Sequence, residues 1–159
     1  MRRPSFRVFF NPRRLFCRPS PELLKTGDTL KQSKIFTSSD IDEYSKLSGD
    51  FNLLHFDLEC AKNAGFHDIP VPGMLVATLF PRIIASHFPG AVYAKQTLEF
   101  KSPVFVDECI VGAVQASGIR RARNDRFLAK FDTECVKDGS GIVVISGEAI
   151  AILPSLALK

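Results

Sequence analysis

Gly73-Met74-Leu75-Val76-Ala77-Thr78-Leu79-Phe80-Pro81-Arg82-Ile83-Ile84-Ala85-Ser86-His87 is the stretch that decides the architecture. It is long enough for a helix and apolar nearly all round, so it is expected to be buried rather than half exposed. Pro81 removes one helical hydrogen bond and should kink the helix or start a new turn. Pro89-Gly90 ends it. Beyond that point the pattern changes to strands. Residues 92–100, 109–118, 127–136 and 142–152 are rich in β-branched and aromatic side chains. The turn formers Ser102-Pro103, Arg123-Asn124-Asp125 and Asp138-Gly139-Ser140-Gly141 separate them. A buried helix followed by an antiparallel meander gives the α+β class.

Upstream, residues 31–36 form a short strand candidate. Ser39 or Asp40 can cap a helix running to about Leu47. Residues 58–64 read as a second short helix, ended by Gly65. Between these helices lies Tyr44-Ser45-Lys46-Leu47-Ser48-Gly49-Asp50-Phe51-Asn52-Leu53-Leu54-His55. Asp50 precedes His55 by five residues, about 140° around a continuous helix, which would point the two apart. Gly49 and Asn52 are turn formers, so the segment is expected to bend and bring both side chains to one point. An acid and a base held together can move protons, as adding or eliminating water beside a carbonyl requires. Each residue taken alone has a plainer reading. Asp50 after glycine suits a helix cap or an Asx-turn, and His55 beside Leu54 and Phe56 suits a satisfied core position. Asn52 is either a turn residue or a hydrogen-bond partner that fixes the His55 ring. Tyr44 and Ser48 read as structural.

Ser48-Gly49-Asp50-Phe51-Asn52-Leu53-Leu54-His55 resembles the signature of the (R)-specific enoyl-thioester hydratases, the MaoC-like dehydratases, which runs Ser or Thr, Gly-Asp-x-Asn-Pro-Leu-His. Leu53 replaces the usual proline, which removes a turn constraint but no chemical group. Val71-Pro72-Gly73-Met74-Leu75 resembles the family's His-Gly-Met-Leu at the start of the central helix, with Pro72 in place of the histidine. Tyr93 through Phe100, followed by Ser102-Pro103-Val104, resembles the family's first long strand and its exit. The resemblance spans roughly residues 35–153. It implies the hot-dog fold, an antiparallel sheet wrapped around a central buried helix, and reversible dehydration of a (3R)-hydroxyacyl thioester. Asp50 and His55 would be the catalytic pair, and an imidazole with an ordinary pKa of about 6.5 can exchange protons at working pH. The enolate oxygen that develops needs donors, and a helix N-terminus offers free N–H groups and partial positive charge. Gly73 and Met74 stand at such an end, so with Asn52 they are the substrate-binding candidates. Pro72 has no N–H to give.

The chain has 159 residues, one domain by length, and 45% are hydrophobic, enough for a core. No apolar run is long enough to span a membrane. Residues 1–21 hold six arginines (Arg2, Arg3, Arg7, Arg13, Arg14, Arg18) and no acid, which leaves the remainder at −2 of the chain's +4. An Arg-rich, acid-free start with Phe6, Val8, Phe9, Phe10, Leu15 and Phe16 reads as a mitochondrial transit peptide, residues 1–21. Residues 22–159 would be the catalytic domain, in the mitochondrial matrix. A basic arm for nucleic acid or acidic lipid is the other reading of the leader. A secretory signal is not expected, because Arg7, Arg13 and Arg14 interrupt any apolar stretch. Cys17, Cys60, Cys109 and Cys135 show no CxxC and no grouping with histidine, so zinc is not expected and no cofactor is implied.

The one basic cluster in the body is Arg120, Arg121, Arg123 and Arg126. It reads either as a solvated hairpin or as a weak docking site for an acidic acyl carrier protein. Nucleic acid fits poorly, since the body is net acidic and the loop lacks interleaved aromatics. The expected function is therefore a (3R)-hydroxyacyl-thioester dehydratase of mitochondrial fatty-acid synthesis, acting on acyl carrier protein or coenzyme A thioesters, as a homodimer. Two rivals stand beside it. Thioester hydrolysis on the same fold usually needs a carboxylate on the central helix, and residues 73–88 contain none. A non-catalytic binding module, associated with RNA through the leader or with acyl chains, is the other.

Overall fold

The computed structural model describes residues 22–159; the expected transit peptide, residues 1–21, lies outside them. Six strands form one antiparallel sheet: β1 (Thr29–Ile35), β2 (Val92–Gln96), β3 (Glu99–Phe100), β4 (Cys109–Arg121), β5 (Phe127–Lys137) and β6 (Val143–Leu153). Their order is β1-β4-β5-β6-β2, with β3 also on β6. Four helices complete the unit: α1 (Ser38–Ser48), α2 (Leu58–Asn63), α3 (Gly73–Ala77) and α4 (Leu79–His87). This is the α+β, hot-dog arrangement that the resemblance implies.

The sheet closes over α4 because both surfaces are shaped for it. Leu79, Phe80, Ile83 and Ile84 recur at helical spacing and are buried, against Ile110, Val114, Phe131 and Ile145 of the sheet. Gly112 of β4 makes the approach possible. A Cβ there would lie 3.1 Å from Leu79 Cβ and 3.3 Å from Ile83 Cδ1. The opposite face of the helix is not covered. Met74, Thr78, Pro81, Arg82, Ala85 and Ser86 are exposed in the single chain, so the expectation of all-round burial is corrected to a one-sided helix.

The helix is broken at Thr78, which begins α4 three residues before Pro81. Pro81 thus sits in a first turn, where a missing N–H is tolerated. The expected strand over residues 92–100 is also broken. Thr97 crosses β6 at Gly147, where a Cβ would lie 1.8 Å from the Thr97 carbonyl oxygen. Thr97 N donates to Glu148 O at 2.9 Å, and Glu148 N to Thr97 Oγ1 at 2.9 Å. The first and last described residues are tied together: Leu24 N donates to Leu156 O, and Leu158 N to Glu22 O, both at 2.8 Å.

Candidate active site

The Asp50–His55 segment is held by two caps set back to back. α1 stops at Gly49, whose φ of 77° is the left-handed conformation that glycine adopts without strain, and its N–H closes onto Ser45 O at 2.9 Å. Ser48 Oγ donates to Tyr44 O at 2.7 Å and accepts from Asp50 N at 3.2 Å. Asp50 Oδ1 then accepts from Asn52 N, and Asn52 Oδ1 from Leu54 N, each at 3.2 Å. The second bond caps the 3-10 turn Leu53–His55. Asn52 is exposed and its side-chain oxygen serves the turn, which is the plainer of its two readings.

His55 closes that turn and points into a cavity of about 450 Å³. Its Nδ1 lies 2.7 Å from Pro70 O. A carbonyl oxygen only accepts, so Nδ1 carries the hydrogen and Nε2 of the neutral ring keeps its lone pair. The walls are mainly apolar, with Leu54, Phe66, Val71, Val76, Phe100, Val104, Val144 and Ile145 among them. Lys101, 3.2 Å from Glu99, is the one fully charged side chain on the lining.

The expected site residues divide. His55, Gly73 and Met74 line the cavity; Asp50, half-buried on the same turn, and Asn52 do not. Gly73 opens α3 and Pro72 O takes the Leu75 and Val76 N–H groups, at 2.9 and 3.2 Å. The Gly73 and Met74 amides precede them, where a helix has no internal acceptor to offer. Gly73 is glycine for space: a Cβ would lie 2.6 Å from Phe100 Cε1. Arg120, Arg121, Arg123 and Arg126 are exposed around the β4–β5 hairpin, with Arg121 Nη2 2.9 Å from Asp125 Oδ1. They lie away from the cavity. Ile145 of the lining and Leu153, which pairs with Phe127 beside the hairpin, are eight residues apart on β6, about 26 Å of strand.

Pro70 and Phe100 line the cavity and were not singled out by the sequence reading. A backbone carbonyl leaves no mark on residue type, and Phe100 reads as ordinary strand. The marked pKa displacements fall outside the cavity. Burial pushes Tyr93 up to about 12, and burial with the Glu134 charge pushes Cys135 up to about 12. Among the described residues no three His, Cys, Asp or Glu side chains converge as a metal cage, and no helix is long and apolar enough to cross a membrane.

Comparison with known proteins gives a consistent set. The family described as MaoC like domain matches residues 23–135. The chain is 56% identical over 140 residues to the mitochondrial 3-hydroxyacyl-[acyl-carrier-protein] dehydratase FERN of Solanum lycopersicum, covering 88% of this chain and 84% of that one. It is 51% identical over 137 residues to the mitochondrial 3-hydroxyacyl-[acyl-carrier-protein] dehydratase of Arabidopsis thaliana, covering 86% and 82%. Among solved structures, the (R)-hydratase from A. caviae involved in PHA biosynthesis superposes with a TM-score of 0.75 at 33% identity, covering 82% of this chain and 98% of that one.

Proposed function

The chain belongs to the MaoC-like domain family, and from that premise we propose that it is a hydro-lyase interconverting (3R)-hydroxyacyl and trans-2-enoyl thioesters. One observation carries the reading: His55, with Nδ1 engaged by Pro70 O, lines a largely apolar cavity, which leaves Nε2 as the ring nitrogen available to a substrate. In the hydration direction water adds across the C2=C3 bond, its oxygen to C3 and a proton to C2; dehydration is the reverse. His55 Nε2 can hold one of the two protons and the Asp50 carboxylate the other, as a general acid–base pair. Apolar walls lower the local dielectric and so strengthen hydrogen bonds to the enolate oxygen. The Gly73 amide is the donor proposed for it, with Met74 beside it.

The two plant relatives are named for acyl-carrier-protein substrates and for the mitochondrion. We carry both over, with the matrix as the compartment and residues 1–21 as the transit peptide. A homodimer is proposed as the working unit. Leu53, Met74 and Phe100 are more than half exposed, and a second copy would cover them.

The test is loss of the enone absorbance of crotonyl-coenzyme A, and of a crotonyl carrier protein, on mixing with the protein, beside Asp50→Asn and His55→Ala. Decay in the wild type without thiol release, and a fall of at least about 100-fold in either variant, is the expected result. Thiol release would instead identify a thioesterase. No change with any enoyl thioester would overturn the reading.

A further inference from the structure

We infer that Glu108 is a positioning residue for His55, acting through two peptide groups; the kinetic part of this inference rests on the hydro-lyase reading above. His55 Nδ1–H donates to Pro70 O at 2.7 Å. The same peptide unit carries the Val71 N–H, which donates to Val104 O at 2.7 Å. The unit containing Val104 O carries the Phe105 N–H, which donates to Glu108 Oε2 at 2.8 Å. Lys137 Nζ closes the series, 2.8 Å from the Glu108 carboxylate. Each unit is a planar trans peptide whose C=O and N–H point in opposite directions. A hydrogen bond on one side of a plane therefore fixes the direction of the other side, and four bonds in series run from Lys137 to the imidazole.

The segments involved are packed through Val71, Val104 and Phe105, all buried, but share few backbone hydrogen bonds. Residues 70–71 and 104–105 meet in a single isolated bridge between Pro70 and Phe105, outside the main ladders. Phe105 is buried, with its ring centroid 4.0 Å from that of His67 and 5.1 Å from Lys137 Nζ. Glu108 closes the turn that precedes β4, its N–H donating to Phe105 O at 3.2 Å, and Lys137 ends β5; their side chains are 34% and 16% exposed. Polarisation along such a chain strengthens each bond, so the acceptor at its end also sharpens Pro70 O as the partner of Nδ1–H. Without that acceptor the 104–105 plane loses a restraint, the Val71–Val104 bond that orients the 70–71 plane loosens, and Nε2 can carry the hydrogen instead, which removes its lone pair.

The experiment uses the full chain labelled with 15N-histidine. Its three histidines are assigned with His67→Gln and His87→Gln. Spectra are taken at about pH 8.5, where an ordinary imidazole is neutral. The expected wild-type spectrum shows His55 as the Nδ1–H form. In Glu108→Ala an Nε2–H population appears and kcat falls about tenfold with KM within twofold; Glu108→Gln, which keeps an acceptor oxygen, restores both. If Glu108→Ala does not fold, Glu108→Asp, a methylene too short to reach the Phe105 N–H, takes its place. An unchanged tautomer and kcat in the variant, even with a lowered melting temperature, would reduce Glu108 to a turn clamp and overturn the inference. So would a wild-type Nε2–H form. A tautomer that responds in a protein without hydratase activity would keep the inference and sink the hydro-lyase reading, so the two fail separately.

Discussion

Leu53 departs from the family string, and the structure shows what the missing proline would have met. It occupies the first position of the 3-10 turn, where a helix does not need the N–H and proline is at home. Asn52, the residue before it, has φ −59° and ψ 120°, and that ψ lies clear of the helical region a following proline disfavours. Leu53→Pro is therefore expected to stabilise the fold by about 0.4–1 kcal/mol, mainly by restricting the unfolded chain. Urea titration checks it; a loss of stability would mean that the turn geometry here differs from the proline-bearing form. At this scale the sequence located His55, Gly73 and Met74, which line the cavity, while Asp50 and Asn52 lie off its lining. Gly49, Asp50, Asn52 and His55 are recognised by type and spacing, and the bend they suggested is formed by the two caps. What escaped was the partner that fixes the ring, because Pro70 lies fifteen residues away and contributes only a carbonyl. Nor could the sequence show that Gly73 is needed to clear the Phe100 ring, since that contact spans two remote segments.

At the scale of elements, α1 shows how a cap is misread and how it couples to pH. Its N-cap is Thr37, not Ser39 or Asp40, with Asp40 completing a capping box. Asp40 accepts from Lys34 Nζ at 2.7 Å and from Thr37 N at 2.8 Å. The Lys34 hydrogen bond first, and the Thr37 amide next, hold its carboxyl below the ordinary range. A carboxyl lowered on folding contributes stability that is present above the unfolded value of about 3.9 and is lost as pH falls through the folded one. Asp40→Asn is thus expected to cost about 0.5–1 kcal/mol at pH 7, for a partly exposed ion pair and part of a capping box. The gap to wild type should narrow below about pH 4. Denaturant melts at both pH values read it, and an equal gap at each would remove the charge from the explanation. The strands β4, β5 and β6 were legible because period and turn chemistry agree there. The break between β2 and β3 was not, since it is imposed by Thr97 crossing Gly147, a tertiary contact with no local signature. The one-sided burial of α4 was missed for a related reason: apolar composition states what can be buried, and a single sheet covers only one face.

At the scale of the whole molecule, the cavity lies at one end of the sheet and the exposed arginines gather at the other. An acyl carrier holds its thioester on a long flexible arm, so a docking patch need not adjoin the cavity it serves. Arg120, Arg123 and Arg126 are exposed, and Arg121 is engaged with Asp125. We therefore propose the first three as the docking charges. Coenzyme A brings no folded acidic partner, so the two substrates separate docking from chemistry. Replacing Arg120, Arg123 and Arg126 together by glutamate is expected to raise KM for a crotonyl carrier protein about tenfold and to leave that for crotonyl-coenzyme A within twofold. The difference should shrink with added salt, because exposed charges are screened within about 10 Å at 0.1 M. Light scattering on the same samples reports the proposed dimer as twice the 17.6 kDa chain. An intact dimer with equal KM changes for both substrates, or with none, would leave the hairpin a solvated turn. Carrier recognition would then have to lie at the cavity mouth, where Lys101 supplies the positive charge.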